Sequence, residues 1–254
     1  MSNQPDPLDE LALSLMYAYG VPTANPKLWI PHRPSPRQSL FLQCEALEAF
    51  YGGAAGGGKS DALLMGALRW VDFPGYSAII FRRTLADFKL PDSLVPRSHE
   101  WLDKTPASWN GTEMKWTFPS TAQLQFGYLD DEDDKFRYQS SAYQYIAFDE
   151  LTHFTESQYR FLFSRLRRLE DSIVPLQMRS ASNPGGRGQV WVRERFIPDG
   201  FTPAHAEPIR IYTKQIRLSE EERLSTFLSR TGQLYKLATW PPRSNTPGSS
   251  GLRR

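Results

Sequence analysis

A chain of 254 residues with 40% hydrophobic and 13% aromatic side chains can bury one sizeable α/β core with a small appendage, which excludes a disordered chain. Its 30 basic and 28 acidic residues nearly cancel, so overall charge gives no argument for a polyanionic partner and local patches must carry any such contact. Cys44 is the only cysteine, which rules out an internal disulfide framework and fits a reducing compartment. The start from Met1 to Glu10 is polar and acidic and no apolar run reaches membrane length, so we expect no secretory signal, no anchor and no membrane partner, hence a cytoplasmic protein.

In chain order, a short helix is expected around Leu8 to Tyr17. Pro22, Pro26, Pro31, Pro34 and Pro36 then forbid a continuous helix, so residues 1–35 read as a Pro-rich arm. Residues 36–207 alternate between strand and helix. The expected order is strand Ala46–Tyr51, helix Lys59–Trp70, strand Ser77–Phe81, irregular and helical material from Thr84 to Leu102, and a hairpin of Met114–Phe118 with Leu124–Tyr128. An acidic solvated loop, Asp130 to Asp134, precedes strand Tyr145–Phe148, helix Glu156–Arg168, strand Val174–Ala181 and a helix near Gln189–Phe196. Such alternation predicts an α/β fold with a mostly parallel central sheet covered by helices on both faces. Residues 208–254 read as a short C-terminal extension. Ser219 and Glu222 have capping-box spacing for a helix over Leu218 to Arg230, while the Pro- and Ser-rich run Trp240 to Gly251 is expected to be disordered.

Between the first strand and its helix lies Gly53-Ala54-Ala55-Gly56-Gly57-Gly58-Lys59-Ser60, the pattern of a phosphate-binding loop. Glycines let backbone N–H groups turn inward around phosphates, Lys59 reaches the β- and γ-phosphates, and the Ser60 hydroxyl is offered to Mg²⁺. The expected ligands are therefore ATP and Mg²⁺. Hydrolysis also needs a carboxylate for the metal and a group that activates water. Tyr145-Ile146-Ala147-Phe148-Asp149-Glu150 is an apolar strand ending in two acids, which assigns Asp149 to the metal and Glu150 to the water. At the end of the next strand, Asn183 can hydrogen-bond the γ-phosphate or the water and report nucleotide state; Asn183-Pro184-Gly185-Gly186 also supplies ordinary turn geometry. His32, His99, His153 and His205 show no metal-ligand spacing.

Together, Gly53 to Ser60, Ser77-Ala78-Ile79-Ile80-Phe81-Arg82-Arg83-Thr84, Tyr145 to Phe154, Ser164-Arg165-Leu166-Arg167 and Ser182 to Gly186 resemble the large terminase subunit of tailed bacteriophages, over about Pro34 to Phe196. The resemblance implies an additional-strand P-loop ATPase that pumps double-stranded viral DNA into a procapsid. It implies partners too: the phage portal protein, the small terminase subunit, and further copies of the chain in a ring on the portal, in the host cytoplasm. The family's coupling motif falls on the Ser182-Asn183 region, and its adenine-contacting glutamine on Gln38, which also fits the first turn of a helix. In a ring, a neighbour can supply an arginine to the phosphoryl-transfer transition state. Arg137 is taken as that residue, with Arg165, Arg167 and Arg168, expected to cluster on the helix after Glu150, as the other candidates; each also suits a surface ion pair or a DNA phosphate. The family's nuclease domain has no expected counterpart here, since the acids after Asn183 (Glu194, Asp199, Glu207, Glu220, Glu221, Glu222) fall on no succession of apolar strands; no DNA cleavage is expected. A helicase- or recombinase-type ATPase and a nucleotide-dependent interaction module are the competing expectations.

Overall fold

The computed structural model describes residues 26–53, 55–168, 173–197, 211–214 and 234–238. The expectations for Leu8 to Tyr17, Leu218 to Arg230 and Trp240 to Gly251 lie outside these residues. The first described element is a single turn, α1 (Pro26–Trp29). Its Trp29 is buried, meets Phe118 edge-on at 5.1 Å and donates from Nε1 to Asp72 at 2.9 Å, so the end of the Pro-rich arm is part of the core. Helix α2 (Pro36–Leu42) begins where a capping box and a proline in the first turn coincide: Ser35 N–H donates to Gln38 Oε1 at 2.7 Å, and Gln38 N–H donates to Ser35 Oγ.

Strand β1 (Glu48–Gly52) is buried at every position and leads through the glycine loop into α3 (Lys59–Leu68). Strand β2 (Ser77–Arg82), a 3-10 turn at Ala86–Phe88 and α4 (Leu94–Leu102) follow. Three strands then run β3 (Ser108–Asn110), β4 (Lys115–Thr117) and β5 (Gln123–Tyr128), with β4 antiparallel to β5 as the alternation predicts. After β6 (Tyr145–Asp149) come α5 (Glu156–Phe163), β7 (Gln177–Ser182) and α6 (Gln189–Phe196). Strands β8 (Ile211–Lys214) and β9 (Leu234–Ala238) complete a sheet of order β3-β4-β5-β2-β6-β7-β1-β9-β8 among the described residues.

The sheet is parallel through its centre. β1 runs beside β7, β7 beside β6, β6 beside β2 and β2 beside β5, all parallel. β1 and β2, consecutive in the chain, are thus separated by β6 and β7, and the loop after β1 opens at the same sheet edge as the ends of β6 and β7. Alternation along each strand divides the core. Ala49, Tyr51, Ala78, Ile80 and Ala147 face α3, while Phe50, Ile79, Phe81, Ile146, Phe148 and Met178 pack against Tyr159, Leu162, Phe163 and Phe196 of α5 and α6. Such doubly buried strands read as continuous apolar runs, which is why β1, β2 and β6 are legible.

Two expectations are corrected, and three strands, β3, β8 and β9, lie where no strand is expected. The helix begun at Glu156 stops at Phe163 rather than Arg168, because the chain turns to pair with the entry to β6: Tyr143 N–H donates to Arg165 O and Arg167 N–H to Tyr143 O, both at 3.0 Å. Arg165, Arg167 and Arg168 therefore lie beyond that helix. The acidic run is exposed from Asp130 to Asp133, as a solvated segment, but it is not irregular: Glu132–Tyr138 forms a 3-10 helix, and Asp134 Oδ2 accepts from Asp130 N–H at 2.8 Å and from Asp131 N–H at 3.1 Å. Lys135 is buried there, donating to Glu132 and Ser157. β3 pairs antiparallel with β4, a three-residue strand too short for periodicity to mark. Finally, past residue 207, β9 pairs parallel with β1 (Tyr51↔Leu237, Gly52↔Ala238) and antiparallel with β8. Their partner is the sheet edge at β1, supplied by tertiary structure and invisible to local pattern.

α3 is buried on almost every side, and its Gly66 marks a close approach. A Cβ there would stand 2.5 Å from the Tyr145 hydroxyl, which itself donates to Leu63 O at 2.9 Å. Gly66→Ala, favourable by helix propensity alone, is expected to lower stability by about 1–3 kcal/mol through overpacking. A denaturant midpoint unchanged or raised in this variant would contradict that packing.

Candidate active site

The glycine loop leaves β1 under a hydrogen bond from Gly53 N–H to Ser182 O at 3.3 Å, which ties it to the end of β7. Gly56 and Gly58 carry φ of 78° and 67°, left-handed values that favour glycine. At Gly58 the demand is also steric, since a Cβ would lie 2.5 Å from Gln38 Nε2. Ala55, Gly56 and Gly57 are exposed, so the outer face of the loop is open to a ligand; Tyr51 braces it by donating to Gly57 O at 3.1 Å. Ala54 lies outside the described residues.

Gln38 holds the loop from the other side. Its Nε2 donates to Gly58 O at 2.8 Å while its Oε1 is engaged by Ser35 N–H, and the side chain is buried. In this geometry the amide pins α2 to the glycine loop, and a base could meet it only by taking over one of these bonds.

Lys59 opens α3 and turns back beneath the loop. Its Nζ donates to Gly53 O at 3.2 Å and to Asn183 Oδ1 at 2.9 Å. Burial pushes its pKa down, and the nearby carboxylates of Glu150 and Asp149 oppose that shift. Ser60 Oγ lies 3.1 Å from both oxygens of Asp149. Asp149 is itself almost wholly buried at the end of β6.

Glu150 follows in a left-handed conformation, φ 56° and ψ 54°, which costs a non-glycine residue about 1 kcal/mol and marks a constrained position. The turn aims its carboxylate at the end of β7: Asn183 Nδ2 donates to Oε1 at 3.3 Å, and Asn183 N–H and Ser182 Oγ donate to Oε2 at 3.3 Å. Asn183 thus bridges Lys59 and Glu150, linking the loop after β1 to the end of β6. Ser182 Oγ also lies 2.8 Å from Thr152 Oγ1, fixing the 3-10 turn after Glu150.

Two further residues belong to this constellation. Arg82, at the end of β2, donates from Nε and Nη2 to Asp149 Oδ2 at 2.8 and 2.6 Å. Strand register puts it there, because Phe81 pairs with Phe148 and the next residue on each strand is level. Ser182 is the second, holding both Glu150 and Thr152. An arginine closing an apolar strand is a visible signal, but its partner is named only once β2 and β6 are known to be neighbours.

Arg137 stands apart from these residues. It pairs with Asp134 at 2.6 Å, lies over the Tyr128 ring at 4.9 Å and is half exposed. Arg165 bonds Gln139 O and Ser164 and covers the Phe161 ring. Of the histidines, His32 lies near Asp61 and Trp101, His99 near Asp103 and two tryptophans, and His205 is outside the described residues. Among the described residues no three His, Cys, Asp or Glu side chains cluster as a metal site, and no helix is long and apolar enough to cross a membrane.

The donors present suit a magnesium nucleotide. A serine hydroxyl and a carboxylate are hard oxygen ligands of the kind Mg²⁺ takes, and a buried ammonium beside an exposed glycine turn at a helix start is a place for phosphate. A parallel sheet covered on both faces, with a glycine loop after β1 and acids ending a strand two positions away, defines the α/β P-loop NTPase fold. Among solved structures the chain resembles that of the large terminase from the thermophilic bacteriophage D6E, with a TM-score of 0.51 and 14% sequence identity over 65% of this chain and 43% of that one. At that identity the likeness is one of fold: the chain has a terminase-like fold and spans less than half the length of that protein. No sequence model of a known family matches the chain, and no curated protein matches it by sequence.

Proposed function

We propose that this chain is the ATP-hydrolysing motor subunit of a phage terminase, driving double-stranded viral DNA into a procapsid. The observation that carries the reading is the convergence of Lys59, Ser60, Asp149, Glu150 and Asn183 at the ends of β1, β6 and β7 and the start of α3, in a fold shared with a large terminase.

Lys59, which donates to Gly53 O and Asn183 Oδ1, would turn to β- and γ-phosphate oxygens when nucleotide binds. Ser60 and Asp149 would hold magnesium, which when bound would neutralise charge on the nucleotide's phosphates. Glu150, held on both oxygens, orients the attacking water and accepts its proton. Asn183 gives up Lys59 when phosphate arrives and so passes nucleotide state to Glu150 and to the loop after β7. Gln38 keeps the phosphate loop in place and is the proposed contact to adenine. Arg137 is the arginine proposed to reach a neighbouring subunit's site, after exchanging Asp134 for the transferring phosphoryl group. Portal protein, the small terminase subunit and further copies of the chain are the proposed partners.

Phosphate release measured with and without portal rings and duplex DNA tests this. Weak Mg²⁺-dependent hydrolysis that rises with protein concentration or on portal is expected, because a finger supplied in trans is absent from a monomer. Indifference to portal combined with stimulation by single-stranded nucleic acid would move the chain to a helicase- or recombinase-type ATPase.

A further inference from the structure

We infer that Arg82 is a built-in competitor for the metal, a cation seated on Asp149 that must loosen its hold when magnesium binds and that sets how much Mg²⁺ nucleotide binding requires. The inference rests on the reading of Asp149 as the magnesium carboxylate and adds a positioning residue to it.

The Asp149 side chain is 2% exposed, and a carboxylate so far from water needs compensation from its neighbours. Arg82 provides it with two hydrogen bonds to a single oxygen, Oδ2, at 2.8 and 2.6 Å. Ser60 shares one hydroxyl between Oδ1 and Oδ2 at 3.1 Å each. Oδ2 is therefore saturated by a charged fork, while Oδ1 holds only a neutral donor. A divalent ion reaching Ser60 and Asp149 meets a guanidinium already bound to the same carboxylate, and the two positive charges oppose each other across it.

The geometry also gives Arg82 somewhere to stay. Its Nη1 donates to Asp87 O at 2.9 Å, and that turn is locked by Thr84 N–H to Asp87 Oδ2 at 3.0 Å and Asp87 N–H to Thr84 Oγ1 at 3.2 Å. The guanidinium can release Oδ2 while remaining tethered to the turn. A purely structural arginine would leave the metal requirement untouched, and this one would not.

The test compares the full chain with Arg82→Gln by Mg²⁺ titration of fluorescent ADP binding and by thermal unfolding with and without Mg²⁺ and ADP. In Arg82→Gln the half-saturating Mg²⁺ concentration is expected to fall about tenfold, since a competing cation is removed. The unfolding temperature without metal should drop, and Mg²⁺ with ADP should recover more of it than they add to the parent. Arg82→Lys, which keeps the charge but loses the fork, should lie between the two; if Arg82→Gln does not fold, this variant carries the test through a smaller shift in the same direction. An unchanged or raised Mg²⁺ requirement, or an equal loss of unfolding temperature with and without metal, overturns the inference. Wild-type protein whose ADP binding ignores Mg²⁺ would remove the metal role of Asp149 itself, whereas Mg²⁺-dependent wild type with unaffected variants removes Arg82's role alone.

Discussion

Lys59→Ala is expected to lower ATP turnover at least about a hundredfold, the scale seen when a charge-stabilising donor is removed from a transition state, and to weaken nucleotide binding as well. The ammonium lies beneath the loop and donates to Gly53 O and Asn183 Oδ1. The loss should not come from unfolding. Burial lowers the Lys59 pKa in the folded chain, so the unfolded state binds the proton more tightly. Folding is therefore penalised while the lysine is charged, at pH values below its folded pKa, and stability rises with pH between that value and the ordinary lysine range. Removing the charge at neutral pH lifts that penalty, and the unfolding temperature of Lys59→Ala should match or exceed the parent's. Turnover within a few-fold of wild type would remove Lys59 from the chemistry. A large drop in unfolding temperature would show that its hydrogen bonds outweigh its desolvation.

Glu150 should separate binding from hydrolysis. Glu150→Gln is expected to bind Mg²⁺ and ATP nearly as well as the parent while turnover falls by about 10²–10⁴-fold, because the role proposed for the carboxylate is to orient water and not to hold the metal. Its backbone adds a second readout. At φ 56° the residue sits where glycine is at ease, so Glu150→Gly should be more stable than Glu150→Ala by about 1 kcal/mol, with both inactive. Calorimetry and phosphate release on the three variants check this. Equal loss of binding and turnover in Glu150→Gln would place the carboxylate in the metal shell instead, and Glu150→Gly less stable than Glu150→Ala would show that the left-handed turn carries no strain.

The parts of this site that are legible in the sequence are those where chemistry and local structure coincide in a few adjacent residues. The glycine run before Lys59 and Ser60 announces both a turn and a ligand, and the apolar strand ending in Asp149 and Glu150 announces its own direction. Asn183 is legible as a strand end, although its bridging of Lys59 and Glu150 depends on β7 lying between β1 and β6. Arg82 is the counterexample: its role exists only in the sheet order, through the level pairing of β2 with β6. Gln38 illustrates competition between two uses of one side chain, since the amide that can read adenine also closes the capping box of α2 and holds Gly58. The limits of local pattern are clearest at the margins. The helix after Glu150 ends early because Leu166 and its neighbours pair with Tyr143, and β9 forms against an edge that the periodicity of residues 234–238 cannot indicate.

The most direct test of the central claim is phosphate release from ATP by the wild-type chain, titrated with Mg²⁺ and then with EDTA, with portal rings present. Saturable hydrolysis that requires Mg²⁺ and stops with EDTA is the expected result. No phosphate release under any of these conditions, or release that persists in EDTA, would contradict the assignment of this site to ATP hydrolysis.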